Sequence, residues 1–329
     1  VTRYNRIKEL HVELPQMLAT VEGRIRMVAT KLDGSQRTLA DFRNLITDAG
    51  LNRMGIGQFR NTCVVGTGSN APSVSDSQLQ TTRARTSANA PNIPGATAQS
   101  SPPYFAQTST GFRFSVGSAS GNLTEVGIGW STGSGLNDYQ LWSRALIKDE
   151  NGNPTTVTVL GDEVLDIYYS MRIYPPTLDE TYQINIGGET YNCISRAASV
   201  TSTLHWGVPN ERVLFTSLPG GVGVTTTNGL IGAITGSPSG NSVSFSSSAS
   251  ITNLGYVNNS LQQDATFNWG LDQGNLPGGI RSVHYQTLVG AYQTQFTRTT
   301  PRDDGTTTID KDNTKVLSIG FRVGWGRRP

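Results

Sequence analysis

The feature that most restricts the fold of this chain is a two-residue rhythm of apolar side chains between Phe112 and Pro176. Phe112, Phe114 and Val116 alternate with polar neighbours, and the run breaks at Gly117 to Gly121. Val126, Ile128 and Trp130 take it up before a second break at Ser131 to Leu136. Leu141 to Ile147 lead into the turn Asp149-Glu150-Asn151-Gly152-Asn153-Pro154. The longest alternation follows, with Leu165, Ile167, Tyr169, Met171 and Ile173 on one face and Asp166, Ser170 and Arg172 on the other. A period of two with glycine-rich or Asn-Gly breaks places one face of each strand on a core and folds the chain back antiparallel. The stretch predicts four or five consecutive antiparallel strands.

The rest of the composition agrees. Charged residues make up 15% of the 329, below the usual quarter, and glycine occurs 37 times, which favours short strands and tight turns over helices. The length admits one large β domain or two smaller ones. A net charge of +2, from 26 basic and 24 acidic residues, gives no field of the kind that wraps nucleic acid, so no nucleic-acid partner is expected. Cys63 and Cys193 lie far apart in a Cys-poor chain and predict two free, packed thiols in a protein made in a reducing cytoplasm. Val1 to Leu14 carries Arg3, Arg6, Lys8, Glu9 and Glu13 and lacks the apolar core of a secretory signal. No later stretch approaches the ~20 apolar residues of a membrane helix, so no membrane partner is expected.

Residues 1–60 predict an N-terminal strand-and-helix docking segment. A first strand has Leu10, Val12 and Leu14 on one face and closes at Pro15; a second has Ile25, Met27 and Ala29 and ends at the turn Asp33-Gly34. Thr38 to Ala49 then reads as a helix. Thr38 and Asp41 have capping-box-like spacing, Leu39, Phe42, Leu45, Ile46 and Ala49 form a stripe, and Gly50 supplies the stop. The stripe fits core contact within the chain or, through Leu39, Phe42, Leu45 and Ile46, packing against a neighbouring subunit. Residues 61–110 predict the end of a short strand, Phe59 to Val65, and then a Gly/Pro/Ser/Thr-rich arm through Ser101-Pro102-Pro103. A loop of that length tends to be functional or to lie along a partner. Residues 111–329 predict an antiparallel β-sandwich, jelly-roll-like, with a loop-rich elaboration at about 177–280. Inside it Tyr182, Ile184 and Ile186 lead into a Gly187-Gly188 hairpin, and Val213 to Phe215 forms a short strand. Tyr292, Thr294 and Phe296 alternate, and Leu317, Ile319, Phe321, Val323 and Trp325 form a last strand expected to pair back into the sheet begun at Phe112. The fold class is mainly β.

Candidate chemistry is sparse. Asp149 to Asn153 opens like a calcium loop, but the twelfth position, where a carboxylate is needed, is Leu160. Asp303, Asp304, Asp310, Asp312 and Asn313 form an acidic turn, and His11, His205 and His284 lie outside metal-ligand spacing. No G-x-S-x-G elbow occurs. Gly127-Ile128-Gly129 and Gly220-Gly221-Val222-Gly223 lack a following Lys-Ser/Thr and read as turns and bulges. Asp162, Glu163, Asp166, Asp179 and Glu180 are carboxylates of the kind a glycosidase needs, without a spacing that sets two of them across a cleft. No catalytic residue, metal site or cofactor is expected. Trp130 and Trp325 fall on the apolar phase of their strands, whereas Trp206 and Trp269 sit in loop-like surroundings where an exposed ring would stack on a glycan or fill a partner's pocket.

The phrase Ser118-Ala119-Ser120-Gly121-Asn122-Leu123-Thr124-Glu125-Val126-Gly127-Ile128-Gly129-Trp130, then Leu141-Trp142-Ser143-Arg144-Ala145-Leu146-Ile147-Lys148-Asp149 and Gly152-Asn153-Pro154, resembles a module of virion proteins of tailed bacteriophages and prophages. Val64 to Gly68 with Ala71-Pro72-Ser73, and the closing strand Leu317 to Arg327 with its Trp-Gly-Arg, are similar in a fainter way. The resemblance implies a non-enzymatic tail, tail-fibre, collar or baseplate protein, made in the host cytoplasm and carried in the virion. It implies partners among other virion proteins and itself, as a homotrimer first and a hexamer or dodecamer ring second. The alternatives are a receptor- or carbohydrate-binding module meeting a bacterial surface glycan and, third, a capsid-surface decoration protein.

Overall fold

The structure, a computed structural model, describes residues 7–56, 60–206, 224–244, 250–287 and 289–329. Its architecture is mainly β, with large antiparallel sheets in sandwich arrangement and two helices among the described residues. The predicted strands Val213 to Phe215 and the Gly220 to Gly223 turn lie outside the described residues.

The chain enters through one strand of 24 residues, β1 (Lys8–Lys31), where two were expected. Pro15 does not end a strand. It sits in a bulge, because Glu13 pairs with Gly320 and Gln16 with Arg322, which leaves Leu14 and Pro15 opposite Phe321 alone. A residue without an N–H is tolerated where the ladder is already interrupted. The bulge also switches phase: Leu10, Val12 and Leu14 point to the core before it, and Met17, Ala19, Val21, Ile25 and Met27 after it.

The Asp33-Gly34 turn folds β1 onto β2 (Gln36–Ile46), so the expected helix over Thr38 to Ala49 is a strand. A stripe at Leu39, Phe42 and Ile46 fits period 3.6. The pairing partner decides for period two, with Ala40 and Phe42 buried and Asp41 and Arg43 exposed. The helix begins later, as α1 (Asp48–Ile56), and its cap is Thr47, whose Oγ accepts from the Gly50 amide at 2.9 Å and donates to the Leu141 carbonyl at 2.7 Å.

Next come β3 (Thr62–Gly66), β4 (Thr82–Thr86), β5 (Thr97–Ala98), β6 (Ala106–Phe114), β7 (Gly121–Leu123), β8 (Glu125–Ser131), β9 (Tyr139–Leu146), β10 (Val157–Val159) and β11 (Glu163–Tyr174). β6 to β11 are the strands expected between Phe112 and Pro176, but they are not consecutive neighbours. Of β6 to β11 only β8 and β9 pair as neighbours in sequence; β6 pairs with β11 across the intervening chain. Pairing runs β1-β2-β9-β8-β3-β4 on one side and β1-β11-β6 on the other. The segment after β4 closes the circle, through the Asn89-Phe112 bridge, the Arg113 amide on the Ala88 carbonyl and the Ala90 amide on the Gly111 carbonyl. The result is a ring of hydrogen-bonded segments around Ile25, Met27, Phe42, Val65, Phe112, Phe114, Ile128, Leu165, Ile167 and Tyr169.

The low-complexity arm is therefore a seam of its own chain's ring. Glu125, wholly buried, accepts from the amides of Gly68, Gln80 and Thr81. Its Oε2 also meets Arg144 at 2.8 Å, and Arg144 reaches Asp76 at 2.7 Å and the Asn70 carbonyl at 3.1 Å. A buried charge is tolerable only when its remaining lone pairs and protons are satisfied, and here the arm's backbone satisfies them.

The second body takes β12 (Glu180–Ile186), β13 (Glu189–Ala198), α2 (Thr203–Trp206), β14 (Val224–Thr227), β15 (Ser242–Ser244), β16 (Ser250–Tyr256), β17 (Gln262–Trp269), β18 (Ser282–Thr287), β19 (Gly290–Arg298) and β20 (Lys315–Arg327). The order β12-β13-β19-β18-β14-β15 makes one layer; β16-β17-β20 and the first half of β1 make the other. Tyr285 of the first layer lies 4.1 Å, centroid to centroid, from Phe321 of the second. Thus the stretch 177–280, expected as an elaboration, supplies four of the six strands of a whole layer. Gly187 and Gly188, both at positive φ, form the expected two-residue hairpin. The last strand buries Leu317, Ile319, Phe321, Val323 and Trp325 as expected, and it joins the sheet that holds β6 through β1, its parallel neighbour, with β17 on its other side.

Candidate functional site

The two halves of β1 present different surfaces. In a parallel ladder, alternate residues turn their N–H and C=O towards a given neighbour. The Lys8 amide bonds the Thr314 carbonyl and the Val21 carbonyl accepts from Arg328, which sets residues 8, 10 and 12, and after the bulge 17, 19 and 21, towards β20. Glu9, His11, Glu13, Gln16 and Leu18 turn the other way. From Thr20 onward that side is taken by β11. Before it, no strand among the described residues pairs there. The same five side chains are exposed, Leu18 by 51%. This is an open strand edge beside an exposed apolar residue.

On the face above that edge His11 Nδ1 is 2.7 Å from Ser318 Oγ and His11 Nε2 is 2.9 Å from Glu13 Oε1. The residue types match an acyl-transfer relay. The imidazole and carboxylate side chains are 59% and 67% exposed, so the row lacks the water-excluded setting that makes such groups strong. A groove of about 680 Å³ runs beside it, lined by His11, Trp269, Asp272 and Ser318 among others.

The second half of β1 carries a different groove, of about 370 Å³, over the outer face of the ring. Arg24 and Arg26 reach it from β1, Gln36 and Asp41 from β2, Gln107 from β6, Tyr168, Ser170 and Arg172 from β11, and Asn92 and Pro94 from the arm. Arg24 Nε donates to Asp41 at 2.6 Å, and Arg172 Nε donates to Gln107 at 2.8 Å while its guanidinium stacks over Phe105 at 4.4 Å. Arg26 makes one long contact, 3.4 Å to Thr38 Oγ, and no ion pair among the described residues. Nothing in the sequence rhythm marked these residues beyond their polar phase, because they converge from four strands and a loop.

The residues singled out in the sequence fare unevenly. Trp206 and Trp269, expected as exposed stacking rings, are buried at 0% and 2% exposure. Trp206 Nε1 donates to the Ala198 carbonyl at 2.8 Å and its ring meets Tyr292 edge-on at 5.5 Å; Trp269 packs beside Phe267. Large rings in loop-like sequence were recruited to a core, since burying them contributes more than any glycan contact in the free protein. Phe42 and Ile46 are buried in the chain's own ring, Leu39 packs against that core and Leu45 is half-buried, so the proposed subunit-packing helix does not exist.

His205 and His284, distant in sequence, have ring centroids 6.3 Å apart, and burial pushes the His284 imidazole down to about 4. Three of the five carboxylates considered for glycosidase work hold ion pairs: Glu163 takes Arg37 in two bonds, Asp166 takes Arg113 in two, and Asp179 takes Arg196. The Arg37 fork holds the Glu163 carboxyl below its ordinary range. Asp310 and Asp312 meet Lys315, and Asp310 also meets Arg302. Asp149 Oδ1 accepts from the amides of Asn151 and Asn153, an Asx turn. Gly129, in a bulge as expected, faces the Gln140 carbonyl so closely that a Cβ would lie 2.0 Å from it. Cys63 and Cys193 are free and buried, and burial raises both thiols, the second to about 12, away from reactive values.

Compared with protein-family models, curated sequences and solved structures, the chain matches none.

Proposed function

We propose that this protein is a non-enzymatic structural component of a tailed-phage particle, of the tail, tail-fibre, collar or baseplate kind, that assembles with itself and with neighbouring virion proteins. The identity rests on the resemblance between Ser118 and Pro154, and the mode of action on one observation, the open edge of β1 from Glu9 to Leu18. A row of unpaired N–H and C=O groups is a template for another strand, and the Pro15 bulge divides this one into Glu9 to Glu13 and Gln16 to Leu18. Here no strand covers it among the described residues, and Leu18 is exposed beside it. Each contact repeated by rotational symmetry adds to the next, with a trimer as the first expectation and a ring of six or twelve as the second.

The receptor-binding alternative loses the residues first assigned to it, since Trp206 and Trp269 are interior. The assembly reading is tested by measuring the mass of the purified chain in solution, unmodified and as Leu18→Lys. An oligomer that falls to monomer on that substitution supports both the reading and the edge. An oligomer indifferent to it sinks the edge and leaves assembly standing. A monomer at every accessible concentration, with no affinity for another virion protein, sinks the reading.

A further inference from the structure

The arginine-lined groove is not needed for the assembly reading and is unlike the rest of the surface. Arg24, Arg26 and Arg172 converge on it; Asp41 is the one carboxylate among the lining residues, and Glu22 beneath lies 3.9 Å from Arg172. Between them lie the neutral hydrogen-bonding groups of Gln36, Asn92, Gln107 and Ser170, with Tyr168 in the wall. Tyr168 is held there, its hydroxyl donating to the Pro91 carbonyl at 3.1 Å. Asn92 has φ +53, a left-handed conformation uncommon for a residue with a side chain, and it lies in the arm segment that forms the rim.

We propose that this groove is a binding site for an acidic saccharide, a sugar chain bearing carboxylate or phosphate groups. Guanidinium groups match such oxyanions through paired N–H donors, and Arg26 keeps most of its five uncommitted, having one long contact to Thr38 and no carboxylate partner among the described residues. The amides and the serine hydroxyl match ring hydroxyls, which both donate and accept, and an aromatic wall takes the apolar face of a sugar ring. The volume, about 370 Å³, is in the range of small-ligand sites.

An acidic peptide strand fits less well. It would need a free edge for its backbone, and β1, β6 and β11 are paired on both sides at the groove; β2 is paired there by β1 alone, since β9 meets it only at Leu45 and Ile46. It would also need apolar pockets for alternate side chains, and the lining offers only Val28, itself 7% exposed, and Pro94 as aliphatic residues.

The test is affinity electrophoresis of the full chain through gels containing polygalacturonate, neutral dextran, poly-glutamate or a DNA oligonucleotide. Retardation is expected in polygalacturonate and absent in dextran, and weaker in the two other polyanions. Arg26→Glu should weaken polygalacturonate binding about tenfold or more, as loss of a charged hydrogen bond implies, whereas Lys148→Glu, the same charge change outside the groove, should not. Tyr168→Ala should also weaken it. The proposal is overturned if polygalacturonate does not retard the chain, or if poly-glutamate or DNA binds as tightly. It is equally overturned if Lys148→Glu matches Arg26→Glu, since attraction would then be a matter of net charge alone.

Discussion

The ring and the sandwich share one strand and are built on opposite principles. The ring closes on itself, its seam made by residues 82–90, and beside the neutral Thr62 and Ser143 it buries carboxylates held by arginines: Glu125 by Arg144, Asp166 by Arg113, Glu163 by Arg37. The sandwich stays open at its edges and buries mostly neutral polar groups, among them Gln293, Thr294, Ser195, Ser282 and His284, with Lys311 buried on carbonyl and amide oxygens. The ring is joined at its narrowest by Leu45 and Ile46 of β2 against β9 and offers a neighbour mainly side chains, whereas the open sandwich offers backbone. The body that closes is suited to binding a ligand on its face, and the body that stays open to being extended.

The contrast is most easily broken at the ionic centre. Arg144→Met leaves Glu125 buried without its cation and is expected to lower stability by about 3–5 kcal/mol in urea denaturation. Arg322→Met, which removes the half-exposed partner of Asp264 in the sandwich, should cost less than about 1 kcal/mol. Equal losses at the two sites would erase the difference between the bodies.

A smaller effect belongs to the neutral polar layer. The His284 imidazole is depressed from 6.5 to about 4 by burial, with His205 beside it adding repulsion. The unfolded chain therefore takes up the proton first as pH falls. Stability contributed by the neutral ring is complete above 6.5 and is lost progressively down to about 4, by roughly 3 kcal/mol. Denaturation curves across that window should flatten in His284→Gln; an unchanged slope would mean that other groups carry it.

The smallest expected change in stability is at the edge. Leu18→Lys removes no buried contact and should alter the folding free energy by no more than about 0.5 kcal/mol, while abolishing self-association. A large loss of stability would show that Leu18 serves the fold of the single chain.

Much of the core was legible from residue order. Leu165 to Ile173 and Leu317 to Trp325 each bury the face that their alternation predicts, and Tyr292 to Phe296 does so too although Gln293 on its other face is also buried. Gly187-Gly188 and Asp33-Gly34 set their hairpins through local backbone preference alone. Neither candidate surface was legible in this way. Thr38 to Ile46 fits a helical stripe and a strand equally, and only the edge of β1 waiting beside it settles the choice.

The sequence by itself determined that this is a β protein, where its turns fall and which faces of its long strands are apolar, all of which follow from contacts a few residues apart. Tertiary structure alone decided that β6 meets β11, that the arm seals the ring and that Trp206 and Trp269 turn inward. It also decided that three arginines from two strands share a groove while half of β1 keeps an open edge. The reason is that strand pairing is chosen among many partners of similar local quality, and the winning arrangement is the one whose buried faces and backbone groups are mutually consistent.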